Sequence, residues 1–73
     1  MRTAQGRITA VQEGRFLLVT PAGRVLQMML SHRAAVEPQD LPPLQAAANR
    51  VRVEYRDSGH LIGGVVERIQ VEA

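Results

Sequence analysis

Apolar residues fill both arms of the stretch from Arg15 to Leu30, RFLLVTPAGRVLQMML. The turn residues Pro21-Ala22-Gly23 in its middle predict a hairpin of two strands, 15–20 and 24–31. A single buried helix would fit a short apolar run equally well, but Pro21 and Gly23 oppose it. A hairpin with one solvated face should alternate apolar and polar residues, so we expect something to cover the second face of this one.

Strict alternation is found from Arg50 to Arg56, where valine or tyrosine alternates with arginine or glutamate. This pattern predicts a strand with one buried and one solvated face. A first strand is expected at 5–11, where Gly6 is a candidate bulge. A fifth is expected within 61–71, after a bend or bulge at Gly63-Gly64. Turns at 13–14 and 57–60 separate these strands from their neighbours.

Proline and alanine dominate the segment VEPQDLPPLQAAAN between the third and fourth strands. Proline disfavours helical geometry in the residue before it, so Leu41 and Pro42 are expected outside the regular helix. Pro43 suits a first helical position, residues 44–48 can form a short helix, and Asn49 can end it. Leu41, Leu44 and Ala48 would then share one face. A helix of this length persists only by docking on another element.

The predicted order is strand, strand, strand, short helix, strand, strand. A five-stranded sheet of this size can hide its edges by curling into a small barrel whose open end is plugged by the helix. We therefore expect an all-β, five-stranded antiparallel OB-type barrel, with one helix within 41–49 and a single domain over 1–73. The alternative small barrel, the SH3-like one, usually lacks a helix at that place.

Composition narrows the class of protein. The chain has 73 residues and no cysteine, which excludes disulfides and thiolate chemistry, and Phe16 and Tyr55 are its only aromatic residues. All nine basic residues are arginine and the net charge is +2, which is compatible with nucleic acid without singling it out. The N-terminus lacks the apolar run of a signal peptide and no segment approaches the roughly 18 apolar residues of a membrane span. We expect a cytoplasmic protein with no membrane contact.

Short motifs in all five strands resemble the one-domain OB proteins of the bacterial translation initiation factor one type. The resemblance implies that the exposed face of the second and third strands, with its flanking loops, contacts single-stranded or ribosomal RNA. It places that role on Arg15, Phe16, Arg33 and Arg68. The motifs are Gln5-Gly6-Arg7-Ile8, Arg15-Phe16, Gly23, Ser31 with Arg33, Val51-Arg52-Val53-Glu54, and the segment 64–68.

The first functional hypothesis is a non-catalytic module that binds RNA or single-stranded nucleic acid, with RNA preferred because of the resemblance. Arginine side chains would contact phosphate, which makes binding salt-dependent, and Phe16 would stack on a base if exposed. The predicted phosphate contacts are Arg15, Arg24, Arg33, Arg52 and Arg68.

The second hypothesis is a module that binds a protein or a second copy of itself. In the second strand, Leu17 and Val19 face the opposite side of the sheet from Phe16 and Leu18. The residues of the third strand alternate between the two sides in the same way. Two to three large aliphatic residues therefore remain outside whichever set is internal, and such a patch suits a protein partner. The predicted interface consists of Leu17, Val19, Leu26, Met28 and Leu30.

Other chemistry finds little support. Met28, Met29 and His32 offer soft ligands for Cu(I), but adjacent methionines on a strand point to opposite faces, so core packing is the better interpretation. Asp57, Ser58 and His60 are crowded into one turn, which rarely gives triad geometry. We expect no catalytic residue, no metal site and no cofactor.

Overall fold

The computed structural model describes residues 1–59 and 63–72. Five strands and one short helical segment form the fold; the predicted turn residue His60 and the predicted start at Leu61 lie outside the described residues. The predicted order of elements is confirmed. The elements are β1 (Arg2–Gln12), β2 (Arg15–Val19), β3 (Val25–Leu30), a 3₁₀ helix (Pro38–Asp40), α1 (Leu41–Ala47), β4 (Arg50–Asp57) and β5 (Gly64–Val71).

The strands close into a barrel in the order β1-β2-β3-β5-β4, with β4 pairing back onto β1. Four of the five pairs are antiparallel, and β3 with β5 is parallel. The expectation of a purely antiparallel barrel is therefore wrong. The reason is geometric: strand direction cannot alternate all the way around a ring of five, so one neighbouring pair must run the same way. The architecture is consistent with an OB-like small barrel.

β1 belongs to both halves of the barrel. Residues 2–7 pair with β4, residues 7–12 pair with β2, and the register shifts between Ile8 and Ala10. The sequence predicted a bulge at Gly6, but the bulge falls at position 9. Gly6 serves a close approach instead, because a Cβ there would overlap the carbonyl oxygen of Val19. The carbonyl of Thr9 accepts a hydrogen bond from Gln45 Nε2 at 2.8 Å, which attaches α1 to the bulge.

The core is entirely aliphatic apart from one aromatic ring. In the hairpin, Phe16 lies opposite Met28 and Leu18 lies opposite Leu26, and these pairs face inward. One complete face of the apolar hairpin is therefore buried in the barrel interior, where side chains pack at close to crystal density. The buried side chains are Ile8, Phe16, Leu18, Met28, Leu41, Val51, Val53 and Val66.

α1 begins earlier than the sequence predicted. Leu41 has helical backbone angles (φ −72, ψ −46) although a proline follows it. The prolines at 42 and 43 fall in the first turn, where backbone N–H groups have no acceptor within the helix, so the helix loses no hydrogen bond. The helix ends at Ala47, and Ala48 caps it in the left-handed conformation at φ 54, in place of the predicted Asn49. Ala48 is exposed, so the predicted apolar face is reduced to Leu41 and half-buried Leu44.

We expect Leu41→Ala to destabilise the fold severely, because its fully buried side chain is what the helix contributes to the core. Such a truncation costs about 2–5 kcal/mol, a large share of the stability of a chain this small. Leu44→Ala is the matched control, since the same chemical change on the same helix affects a half-buried side chain. Urea unfolding followed by circular dichroism measures the free energy of unfolding of both variants. Equal losses of stability would contradict the conclusion that Leu41 is the helix residue that fills the core.

Candidate nucleic-acid interface

Two of the predicted phosphate contacts, Arg24 and Arg52, line the same cleft. The cleft has a volume of about 470 Å³ and lies between the first residues of β1, the turn joining β2 to β3, and β4. Arg2 lines it as well, and none of the described residues in its lining is acidic. We call it the Arg24 cleft. Its remaining lining consists of Thr3, Ala4, Gln5, Thr20, Pro21, Leu26 and Tyr55.

A second depression of about 260 Å³ adjoins the first through two shared residues, Thr20 and Pro21. Its charged members are Arg7 of β1 and Arg50 of β4, and it too has no acidic residue among its described lining. We call it the Arg7 groove. Five guanidinium groups therefore border one continuous surface around the turn between β2 and β3.

Hydrogen bonds within the turn fix the position of Arg24. The amide of Gly23 donates to the Thr20 carbonyl at 2.9 Å, and the amide of Thr20 donates to the Arg24 carbonyl at 2.9 Å. The Thr20 hydroxyl accepts from the Arg24 amide at 3.1 Å. Gly23 has φ +87, a conformation that side chains other than glycine rarely adopt. The turn thus holds Arg24 at the edge of the cleft without help from other elements.

The arginines of this surface are largely without acidic partners. Within residues 1–59 and 63–72, only Arg2 among the five forms an ion pair, to Asp57 at 3.5 Å. Both side chains of that pair are more than 60% exposed (67% and 62%), so the pair contributes little. Glu54 and Glu72 lie near the surface but line neither depression, and the Glu72 carboxylate accepts a hydrogen bond from Gln5 at 3.1 Å. Positive charge therefore accumulates here.

The other predicted contacts lie elsewhere. Arg15 lines a larger cleft of about 580 Å³ near the opposite end of β1, together with Glu13, Glu37 and His32. Carboxylates therefore share that cleft with the Arg15 guanidinium. Arg33 follows β3 in the loop, where its amide donates to the Ser31 hydroxyl. The described residues contain no group of three or more histidine and acidic side chains placed to hold a metal ion.

Arg68 and Phe16 differ from the remaining arginines. Arg68 lies opposite Glu54 across the β4–β5 pair, where opposite charges favour each other. Phe16 is buried in the core at 3% exposure, so the condition for base stacking, an exposed ring, is not met.

The predicted protein interface mixes two faces of the hairpin. Leu26, Met28 and Leu30 face the core or pack against it, which corrects their assignment to an exposed patch. Leu17 and Val19 do face outward. Their cross-strand partners are Gln27 and Val25, and Met29 lies on the same face opposite Arg15. The outward face therefore consists of Leu17, Val19, Val25, Gln27 and Met29.

Glu67 forms an ion pair that the sequence did not indicate. It occupies a bulge in β5, and Arg56 donates to its Oε2 through Nε at 2.9 Å and Nη2 at 2.8 Å. The carbonyl of the same residue accepts from the Ala35 amide at 3.4 Å, so the bulge also holds the loop after β3. Burial alone would raise the pKa of Glu67, but hydrogen bonds from Arg56 and Ser31 and the charges of Arg56 and Arg33 outweigh it and lower the pKa below its usual range.

Comparison with protein families and with curated proteins finds no match to this chain. No helix within the described residues is long and apolar enough to span a membrane. The assignment of the surface therefore depends on its own geometry. Three of its arginines, Arg2, Arg7 and Arg50, were not among the predicted contacts; the alternation of residues 50–56 already placed Arg50 on the solvated face, beside Arg52.

We expect Glu67→Gln to lower the urea midpoint at neutral pH and to match the wild type in acid. A carboxyl whose pKa is lowered by folding stabilises the fold above its unfolded pKa, and this contribution is lost as pH falls through the folded pKa. The two unfolding curves should converge as the pH falls through the folded pKa of Glu67. Glu13→Gln, an exposed turn residue, is the control; a pH-independent loss in Glu67→Gln would contradict the role of its charge.

Proposed function

We propose that this chain is a small, non-catalytic OB-type module that binds RNA or single-stranded nucleic acid through the arginines around the β2–β3 turn. The observation that carries the proposal is the grouping of five guanidinium groups along two adjoining depressions whose described linings contain no acid. The motif resemblance to the initiation factor one type supports the choice of RNA over DNA. The arginines are Arg2, Arg7, Arg24, Arg50 and Arg52.

Arginine is suited to this role because its planar guanidinium donates two parallel hydrogen bonds to a phosphate and is never deprotonated at physiological pH. The net charge of the chain is only +2, so attraction to nucleic acid must come from local accumulation and not from the whole molecule. Neutralising phosphates releases condensed counterions, and binding of this kind weakens steeply with salt.

The proposed contact surface is displaced from the one that the resemblance implied. The outward face of β2 and β3 offers aliphatic side chains and Gln27 in place of cations and rings. Arg24 and Arg52 are retained from the predicted contacts, while Arg15 and Arg68 each lie beside carboxylates. Nucleic acid would therefore follow the turn and the adjoining strands β1 and β4.

Replacing Arg24 and Arg52 together by Gln should weaken binding of a labelled single-stranded RNA at least tenfold, by a rough allowance of two lost charge-assisted contacts. The slope of log affinity against log salt should fall by about 1.4, since each phosphate contact on a single strand contributes about 0.7. Fluorescence anisotropy across a salt series measures both quantities.

The double change Arg15→Gln with Arg33→Gln is the matched control, because it removes the same charge from exposed positions outside the two depressions. It should preserve the affinity within about threefold and the salt slope within about 0.5, by the same counterion argument. An equal loss in both variants would mean that binding is not localised at the turn. Failure of the wild type to bind at low salt would remove the proposed function.

A second candidate is self-association through the outward face of β2 and β3. Val25 is 58% exposed and lies opposite Val19. The next residues of the same face, Leu17 and Gln27, line part of a depression of about 320 Å³. A contiguous aliphatic face that combines exposed Val25 with half-buried Leu17, Val19 and Met29 fits an interaction surface, and identical patches on two copies pair readily in a two-fold dimer.

For this candidate, Val25→Glu should convert a concentration-dependent dimer into a monomer in sedimentation equilibrium, because a charge would be buried in the interface. Val71→Glu is the control, since it is a strand valine of similar exposure (53%) on a different part of the barrel. A wild-type chain that stays monomeric at high micromolar concentration rules out the dimer.

A further inference from the structure

Arg7 and Arg50 are direct cross-strand partners. They are paired in the β1–β4 register, and both are exposed. Position 7 is also where β1 passes from its pairing with β4 to its pairing with β2, since Arg7 is the register partner of Val19. Two positive charges are thereby fixed side by side at the junction of three strands.

Like charges directly opposite each other on a sheet are destabilising, and no ion pair among the described residues relieves this contact. Neither arginine forms an ion pair within residues 1–59 and 63–72. Glu72 is adjacent, and its backbone amide donates to the Arg50 carbonyl at 2.9 Å, but its carboxylate accepts from Gln5. The next pair along the two strands is neutral on one side, with Gln5 opposite Arg52.

The Arg7 groove continues into the Arg24 cleft across Thr20 and Pro21. Each of the two depressions holds at least two arginines and no described acid, so the same chemistry is repeated at adjoining places. A ligand with regularly spaced anionic groups matches that repetition. We infer that Arg7 and Arg50 form one phosphate subsite and that Arg2, Arg24 and Arg52 form the next, so that the ligand is a chain of phosphates bound by its backbone and not by its bases.

The placement of the aromatic residues supports backbone recognition. The chain has one phenylalanine, one tyrosine and no tryptophan. Phe16 is in the core, and Tyr55 is half-buried with Gly64 packed against its ring. Stacking platforms for bases need a free aromatic face, and the one ring among the described residues that line the two depressions, that of Tyr55, is partly covered. Phosphate contacts alone carry no direct sequence information.

The first test measures the subsite without nucleic acid. Arg50→Gln should raise the melting temperature in chloride buffer by about 1–5 °C, because it removes the like-charge contact. Sodium tripolyphosphate at matched ionic strength should raise the melting temperature of the wild type by clearly more than that of Arg50→Gln, because an anion that binds only the folded state stabilises it and the variant retains only the subsite of Arg2, Arg24 and Arg52.

Arg52→Gln is the matched control for the higher melting temperature in chloride, because the cross-strand partners of Arg52 are the neutral residues Gln5 and Gln70. The melting temperature of Arg52→Gln in chloride should not exceed that of the wild type. A subsite at Arg7 and Arg50 is overturned if Arg50→Gln melts no higher than the wild type in chloride, or if tripolyphosphate stabilises the wild type and Arg50→Gln equally or stabilises neither.

The second test separates backbone from base recognition and rests on the proposed function. Single-stranded poly(A) and poly(U) oligonucleotides and an RNA duplex of equal length should bind with affinities within about threefold of one another at one salt concentration. A preference of more than about thirtyfold for one base or for unpaired strands would overturn backbone recognition while leaving the proposed function intact. Absence of binding to all three would remove the proposed function, and the tripolyphosphate result would then decide the subsite alone.

Discussion

Closure of the five-stranded ring is the constraint on which the rest of the structure depends. The closing pair, β3 with β5, is parallel and has only three register partners, from Met28–Gly64 to Leu30–Val66. Gly63 makes that approach possible, because a side chain at position 63 would collide with the Gln27 backbone of β3. Gly64 serves the other neighbour of β5, because a side chain at position 64 would collide with the Tyr55 ring of β4. Once the ring is closed, the inside is sealed by strands and by Leu41 of α1, and every inward position must be apolar.

That seal determines where charge can lie. None of the described buried residues is polar or charged, and all nine arginines are exposed. The distribution of acids over the surface then decides where positive potential survives. Glu67 pairs with Arg56, Glu54 faces Arg68, and Glu13 and Glu37 accompany Arg15. Around the β2–β3 turn, Arg7, Arg24, Arg50 and Arg52 form no ion pair within the described residues, although the chain as a whole is close to neutral.

Much of this fold could be predicted from local patterns, because they determine which segments become strands. The alternation at 50–56 and the turn at 21–23 placed β4 and the hairpin within one or two residues. The sequence predicted too late a start for α1. A residue before proline usually avoids helical geometry, but the first turn of a helix tolerates proline. The parallel closing pair follows from the odd number of strands in a closed ring, and although both the number and the closure were predicted, the expected barrel was purely antiparallel.

The site was harder to predict because it depends on register. Arg24 and Arg52 were identified as single residues, yet nothing local brings a turn residue to a strand 28 positions later. The pairing of Arg7 with Arg50 requires knowing how β1 and β4 align, and a slip of one residue would place each on the opposite face. The hairpin presented the same difficulty, since its two faces could be separated by alternation but not assigned to inside and outside.

Tyr55 has an optical consequence that follows from its position. It is the only tyrosine in a chain without tryptophan, so nearly all of the intrinsic near-ultraviolet emission arises from one ring. That ring packs against Gly64 at the closing pair and also lines the Arg24 cleft. A single native chromophore therefore lies between the seam of the barrel and the arginine surface, and its emission responds both to opening of the ring and to an anion entering the cleft.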